Sequence, residues 1–159
     1  MQIQEGRVSI EESVEIGKGG EATLLADIFL PPKDETNRPA ILFVHGGGWL
    51  EGDRSQLRGY GILLARLGFV TMCNSYRLST KAHWPAQIQD VKCAVRYMRA
   101  NAEKLGIDPD RIGVSGNSAG GHLSLMAAAT SYDDSFEGDG GNNEVSSKVK
   151  ATCAIYPPT

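Results

Sequence analysis

No stretch of the 159-residue sequence is apolar for long enough to cross a bilayer; uninterrupted apolar runs such as Ala40 to Val44 end after a few residues. Charge of one sign is also lacking. Sixteen Lys and Arg stand against nineteen Asp and Glu, a net charge of −3, so there is no basic footprint for a phosphate backbone and no case for a general nucleic-acid binder. Cysteine is scarce. Cys73, Cys93 and Cys153 are an odd number at unrelated spacings. They read as small buried apolar groups in a reducing compartment, not as a disulfide set or a metal site. No other metal-ligand spacing is visible, so neither metal nor cofactor is expected. Met1 to Glu12 is polar and alternating, without the apolar core of a secretory signal, and the expected location is cytoplasmic. What is present, 41% apolar and 22% charged residues, is the composition of one folded domain.

Val8 to Val14 and Ala22 to Leu30 read as two antiparallel strands joined by a turn at Gly17-Lys18-Gly19-Gly20. Pro31-Pro32 ends the second. Ala40 to Val44 is apolar without alternation, as in a strand buried on both faces of a parallel sheet. A helix is then predicted with Leu57, Tyr60, Leu64 and Leu67 inward and Gly68 closing it. The strand Phe69 to Cys73 follows. Pro85 suits the first turn of a long helix whose inner face is Ile88, Val91, Val95, Met98, Ala102 and Leu105, with Gly106 as its left-handed cap. Asp108-Pro109-Asp110 reads as a turn, Ile112 to Ser115 as a strand and Ala119 to Thr130 as a buried helix. The segment Ser131 to Ser147 is acidic and Gly-rich. Its Asp133, Asp134, Glu137, Asp139 and Glu144 read as a solvated loop, and Val149 to Tyr156 as a last strand. Strands and helices alternate from Ala40 onward, which predicts an α/β protein with a parallel sheet and right-handed crossovers.

Two segments carry chemistry. Gly116-Asn117-Ser118-Ala119-Gly120 fits G-x-S-x-G, with an apolar strand before it and a helix after it. A serine on so sharp a turn projects its hydroxyl above the sheet. Gly116 and Gly120 allow close approach of strand and helix, and the helix N-terminus favours developing negative charge. Taken alone, the motif is equally a serine cap in a glycine-rich turn. His45-Gly46-Gly47-Gly48-Trp49 decides between the two. Its glycines leave backbone N–H groups uncovered, and it lacks the Gly-Lys-Ser/Thr of a phosphate loop. Acyl transfer needs N–H donors from the residue after the nucleophile and from the loop after the third strand, and the sequence has both.

Together with Gly52-Asp53, Tyr76-Arg77-Leu78, Trp84-Pro85-Ala86, Asp108-Pro109-Asp110-Arg111-Ile112 and the continuation Gly121-His122-Leu123, these segments resemble the α/β-hydrolase esterases and lipases related to hormone-sensitive lipase. Within that group they are similar to the small acetyl- or feruloyl-esterase-like enzymes. The resemblance covers nearly all of Ala40 to Tyr156. It implies the N-terminal part of an α/β-hydrolase fold, two antiparallel strands followed by a parallel sheet flanked by helices. It implies Ser118 as nucleophile and the N–H groups of Gly47, Gly48 and Ala119 as the oxyanion hole. His45, Gly46, Trp49, Gly116 and Gly120 would shape the loops, and a small-molecule ester would be the substrate.

The sequence departs from that family after Ser118. In this fold the carboxylate and then the histidine of the triad follow the serine. Only one histidine does, His122, one helical turn on, where its ring cannot easily reach back; it reads as a packed, hydrogen-bonded helix residue. Residues 1–159 therefore read as a single incomplete domain, short of roughly 60–100 residues, with triad Asp and His absent. Its last strand would offer an open edge for self-association, and its activity would be weak. With no space for an N-terminal helical cap, the site would favour short acyl groups. Asp53 and Arg54 are expected to clamp the glycine loop, and Arg77 to pair with Asp90. Two other functions remain open: an amide hydrolase, arylformamidase-like or acylaminoacyl-peptidase-like, and a catalytically inactive binding protein of the same fold.

Overall fold

The structure, a computed structural model, describes residues 2–159. Its strands are β1 (Ser9–Gly19), β2 (Ala22–Leu30), β3 (Arg38–Val44), β4 (Val70–Asn74), β5 (Ile107–Asn117) and β6 (Ala151–Ile155). Its helices are α1 (Arg58–Arg66), α2 (Ala86–Ala100), α3 (Ala102–Leu105) and α4 (Ala119–Ala129), with a single 3₁₀ turn at Asp134–Phe136. The six strands form one sheet in the order β1-β2-β4-β3-β5-β6. β1 and β2 pair antiparallel, β2 joins β4 antiparallel, and β4, β3, β5 and β6 run parallel. This is the two-then-parallel arrangement expected from the order of elements.

β3 is apolar throughout because both of its faces are covered. Ala40, Leu42 and Val44 join Ile88, Val91, Val95, Met98, Ile112, Val114 and Leu123 in the main core under α2 and α4. Phe43 turns the other way, to Phe29, Leu57 and Ala65 beneath α1. Among the described residues no helix lies over β5 and β6 on that second face. Ile41, Phe69, Gly113, Ala151 and Cys153 line an open apolar hollow of about 260 Å³ there. No helix among the described residues is long and apolar enough to cross a membrane.

Several boundaries differ from the sequence reading. β1 continues through Gly17, Lys18 and Gly19, which pair with Leu24, Thr23 and Ala22, so the hairpin turn falls at residues 20–21. Continued pairing satisfies the backbone, and two residues suffice for the turn. α1 packs inward through Gly61 and Ala65, leaving Tyr60 53% exposed. A Cβ on Gly61 would stand 2.9 Å from the Phe29 ring, so the helix backbone, not a large side chain, fills that contact. The predicted long helix breaks at Asn101 into α2 and α3, with its inner face intact and Gly106 in the left-handed conformation (φ 68°). Asp108 to Asp110 lies within β5.

Two groups of residues are placed differently from expectation. Cys73 and Cys93 are buried, but Cys153 is exposed because it lies on the uncovered face of edge strand β6. The acidic segment is not uniformly solvated. Glu137 turns inward and accepts from Lys92 Nζ at 2.8 Å and Arg96 Nη1 at 2.8 Å, two cations buried on α2. A buried cation must find a carboxylate, and this one is drawn from the loop.

Candidate active site

Strand β5 ends at Asn117 and α4 begins at Ala119, so the whole reversal is made at one residue. Ser118 takes φ 51° and ψ −121° to make it. A non-glycine residue holds such a conformation only where its surroundings enforce it. The enforcement is visible on both sides. Ser118 N–H donates to Ile155 O on β6 at 2.9 Å, and Ser118 O accepts from His122 N–H at 3.0 Å in the first turn of α4. A Cβ on Gly120 would lie 2.0 Å from Val44 O and 2.5 Å from His45 O. Only glycine lets α4 start this close to the end of β3. The Ser118 side chain is partly exposed on top of the sheet, as a reactive hydroxyl there requires.

The glycine loop leaves the adjacent strand β3 at the same edge. Gly46 N–H donates to Gln56 Oε1 at 2.7 Å and to Asn117 Oδ1 at 3.1 Å. A Cβ on Gly46 would stand 2.9 Å from Asn117 O. Two segments 71 residues apart in sequence are thus in direct contact. Gly47, Gly48 and Trp49 all have positive φ (113°, 59° and 62°). Gly47 O accepts from Leu50 and Glu51 N–H, closing a tight turn. Among the described residues the N–H groups of Gly47 and Gly48 have no protein acceptor. Ala119 N–H is in the first turn of α4 and lacks an intrahelical acceptor. The structure therefore separates Gly46, whose N–H is occupied, from three residues whose N–H groups are free.

The other side chains at this edge divide into support and wall. His45 is buried, its ring stacked on Tyr76 at 4.2 Å, and its Nδ1 is 2.7 Å from Gly46 O. Burial pushes its pKa below the ordinary imidazole value. The contact with Gly46 O and the charge of Asp53 offset only part of that. Because its partner is a carbonyl oxygen, Nδ1 carries a proton and donates it to the loop. Tyr76 donates its hydroxyl to His45 O at 3.2 Å, and burial pushes the phenol up to about 12, so it keeps the proton it donates. Trp49, Ser79, Trp84, Gln87 and His122 line a cavity of about 270 Å³ beside the serine turn. The His122 ring lies edge-on to Trp49 at 5.3 Å and near Trp84 at 6.2 Å. Arg77 pairs with Asp90 at 2.7 Å behind this wall, as the sequence reading expects.

Two expectations need correction. Arg54 does not clamp the glycine loop. It binds Asp27 at 2.9 Å and Ser13, because Asp27 is a buried carboxylate that needs a cation, while Asp53 caps Ser55 N–H in a local turn. Gln56 and Asn117 hold the loop instead. His122 is packed against Trp49 and Trp84, but its buried Nδ1 has no hydrogen-bond partner. No histidine among the described residues is hydrogen-bonded to Ser118 Oγ.

The sequence and the fold are similar to those of known proteins. Esterase LipC of Mycobacterium tuberculosis is 39% identical over 125 residues, 76% of this chain and 30% of LipC. Arylacetamide deacetylase of Oryctolagus cuniculus is 34% identical over 162 residues, 98% of this chain and 38% of the deacetylase. The chain thus spans about a third of the length of these relatives. Among solved structures, Thermogutta terrifontis esterase 2 phosphorylated by paraoxon superposes with a TM-score of 0.80 at 29% identity, covering 94% of this chain and 57% of that one. Such neighbours place the sheet and helices in the α/β-hydrolase fold. The BD-FAE family model matches residues 26–159, from within β2 through the serine turn and β6, and the chain belongs to the BD-FAE family.

Proposed function

We propose that this chain forms the nucleophile and oxyanion half of a serine hydrolase that cleaves carboxylic esters of short acyl groups. The observation that carries the reading is the Asn117–Gly46 hydrogen bond. It fixes the loop with free N–H groups beside a serine held in a strained turn. In this reading Ser118 Oγ attacks the ester carbonyl carbon. The carbonyl oxygen becomes an oxyanion that accepts from the N–H groups of Gly47, Gly48 and Ala119. Collapse of the tetrahedral intermediate breaks the bond to the alcohol, which leaves with a proton. Water then releases the acyl group from Ser118.

The general base is none of the three histidines. His45 is buried with Nδ1 engaged by Gly46 O, and the His122 ring is wedged beside Trp49 and Trp84. His83 precedes the serine turn and is exposed. The base and its carboxylate are contributed by residues outside this sequence. In this reading the cavity of about 270 Å³ bounded by Trp49 and Trp84 receives the acyl group. A second reading, amide hydrolysis, draws on the similarity to a protein named arylacetamide deacetylase.

A fluorophosphonate probe tests the reaction class. In the protein that also carries the base, the expected result is a stoichiometric adduct on Ser118, absent in Ser118→Ala. An unlabelled Ser118 in that protein overturns the hydrolase reading in favour of a binding protein. Phenyl acetate against acetanilide separates ester from amide cleavage, and p-nitrophenyl acetate is expected to be turned over faster than the decanoate.

A further inference from the structure

We propose a second binding site, for a small oxyanion such as phosphate or a carboxylate, between α2 and the segment that connects α4 to β6. It begins with a charge imbalance. Lys92 and Arg96 are both buried, at 0% and 1% exposure, and share a single carboxylate, Glu137. That carboxylate is fully engaged. Its Oε1 accepts from Lys92 Nζ at 2.8 Å and Ser147 Oγ at 2.6 Å, and its Oε2 accepts from Arg96 Nη1 at 2.8 Å. Two buried positive charges against one negative leave one unbalanced, in surroundings where an unpaired charge is costly.

Arg96 shows where the missing acceptor belongs. Its Nε donates to Gly141 O at 3.0 Å and its Nη1 also donates to Glu137 O at 2.9 Å, but the buried Nη2 has no partner. Arg96 is in the wall of an open cavity of about 320 Å³. Ser131, Asn143, Ser146 and Lys148 are also in that wall. Ser131 Oγ already donates to Ala128 O at 2.7 Å and Asn143 Nδ2 to Gly138 O at 2.8 Å, so the donors left for a phosphate or carboxylate oxygen are Arg96 Nη2, the Lys148 ammonium, which lies over the Tyr132 ring at 3.9 Å, the Ser146 hydroxyl and the second Asn143 amide hydrogen. The acidic groups here are accounted for. Glu137 is spent on the two cations, Asp133 is exposed and caps Ser135 N–H, and Asp134 is an exposed carboxylate in the cavity wall that opposes an anion. The site adjoins the candidate active site through the chain itself, since Phe136, next to Glu137, packs on Trp84 at 5.9 Å.

Titration of the purified protein with inorganic phosphate, and separately with acetate, at constant ionic strength tests the site by calorimetry. The expected result is saturable binding of at least one of the two. Affinity should fall about threefold to tenfold in Lys148→Ala and rise by a similar factor in Asp134→Asn. Both substitutions lie on the surface and leave the buried pairs in place, so folding is not at issue, and neither touches Ser118 or the glycine loop. No saturable binding of either anion overturns the proposal. So does binding that Asp134→Asn weakens or leaves unchanged, since an oxyanion must gain from removal of that carboxylate.

Discussion

Asn117 Oδ1 accepts from Gly46 N–H at 3.1 Å, which joins the residue before the serine to the first glycine of the loop facing it. Gln56 Oε1 shares the same N–H at 2.7 Å, and Asn117 Nδ2 reaches on to Tyr156 Oη at 3.2 Å. The loop thus has two tethers, one from each side. Removing either leaves the other. In the protein that also carries the base, Asn117→Ala and Gln56→Ala are each expected to lower kcat/KM for p-nitrophenyl acetate by about tenfold, roughly 1.4 kcal/mol. The double variant is expected to lose more than the two losses added together, because only then is the loop unheld. Strict additivity would show that the two acceptors do not act on one loop.

Close approach of α4 to β3 makes a separate prediction. The Cβ of Gly120→Ala would fall 2.0 Å from Val44 O, a backbone atom that no side-chain rotation moves. The substitution is expected to destabilise the protein by about 3 kcal/mol or more, or to prevent folding. Gly59→Ala, at an exposed position of α1 with open space around the new methyl group, is the matched control and should be neutral or slightly stabilising. Thermal unfolding of the two variants reads the difference.

The elements that the sequence discloses are those with local causes. Glycines around Ser118 and after His45 mark turns, and the spacing of Ile88, Val91, Val95, Met98, Ala102 and Leu105 marks a buried helix face, which survives the break at Asn101. What is hidden depends on partners distant in sequence. Lys92 and Arg96 are residues normally solvated, and nothing near them announces that Glu137, more than forty positions on, will meet them in the interior. Gln56 sits in a polar loop with no periodicity, so its bond to Gly46 is legible only in three dimensions. Asp27 likewise draws Arg54 and Arg58 to itself and away from the glycine loop.

Thiol reactivity separates the three cysteines. Burial pushes the Cys73 thiol up to about 12 and raises that of Cys93, so neither offers a thiolate near neutral pH. Cys153 is exposed on β6. Iodoacetamide at pH 8 is expected to alkylate Cys153 alone in the folded protein and all three once it is unfolded in guanidinium. Peptide mass spectrometry reads the positions, and modification of Cys73 at the rate of Cys153 would contradict the core described above.

Acid stability turns on Glu137. Burial pushes its carboxyl up, but hydrogen bonds from Lys92 and Ser147 and the charges of Lys92 and Arg96 outweigh this and hold it below the ordinary carboxylate value. A carboxyl with a lower pKa folded than unfolded binds fewer protons in the native state. Its stabilisation is therefore present in full above the ordinary carboxylate range and is lost as pH falls through the folded value. Glu137→Gln keeps the shape and removes the charge, leaving two buried cations without a counter-ion. The variant is expected to be less stable than the parent by about 2–4 kcal/mol at pH 7. The gap should narrow steadily on acidification, because the parent loses the same charge by protonation. Unfolding by urea at a series of pH values from 7 to 3 measures it. A gap that stays constant over that range would mean that the Glu137 charge contributes nothing to holding Lys92 and Arg96 in the interior.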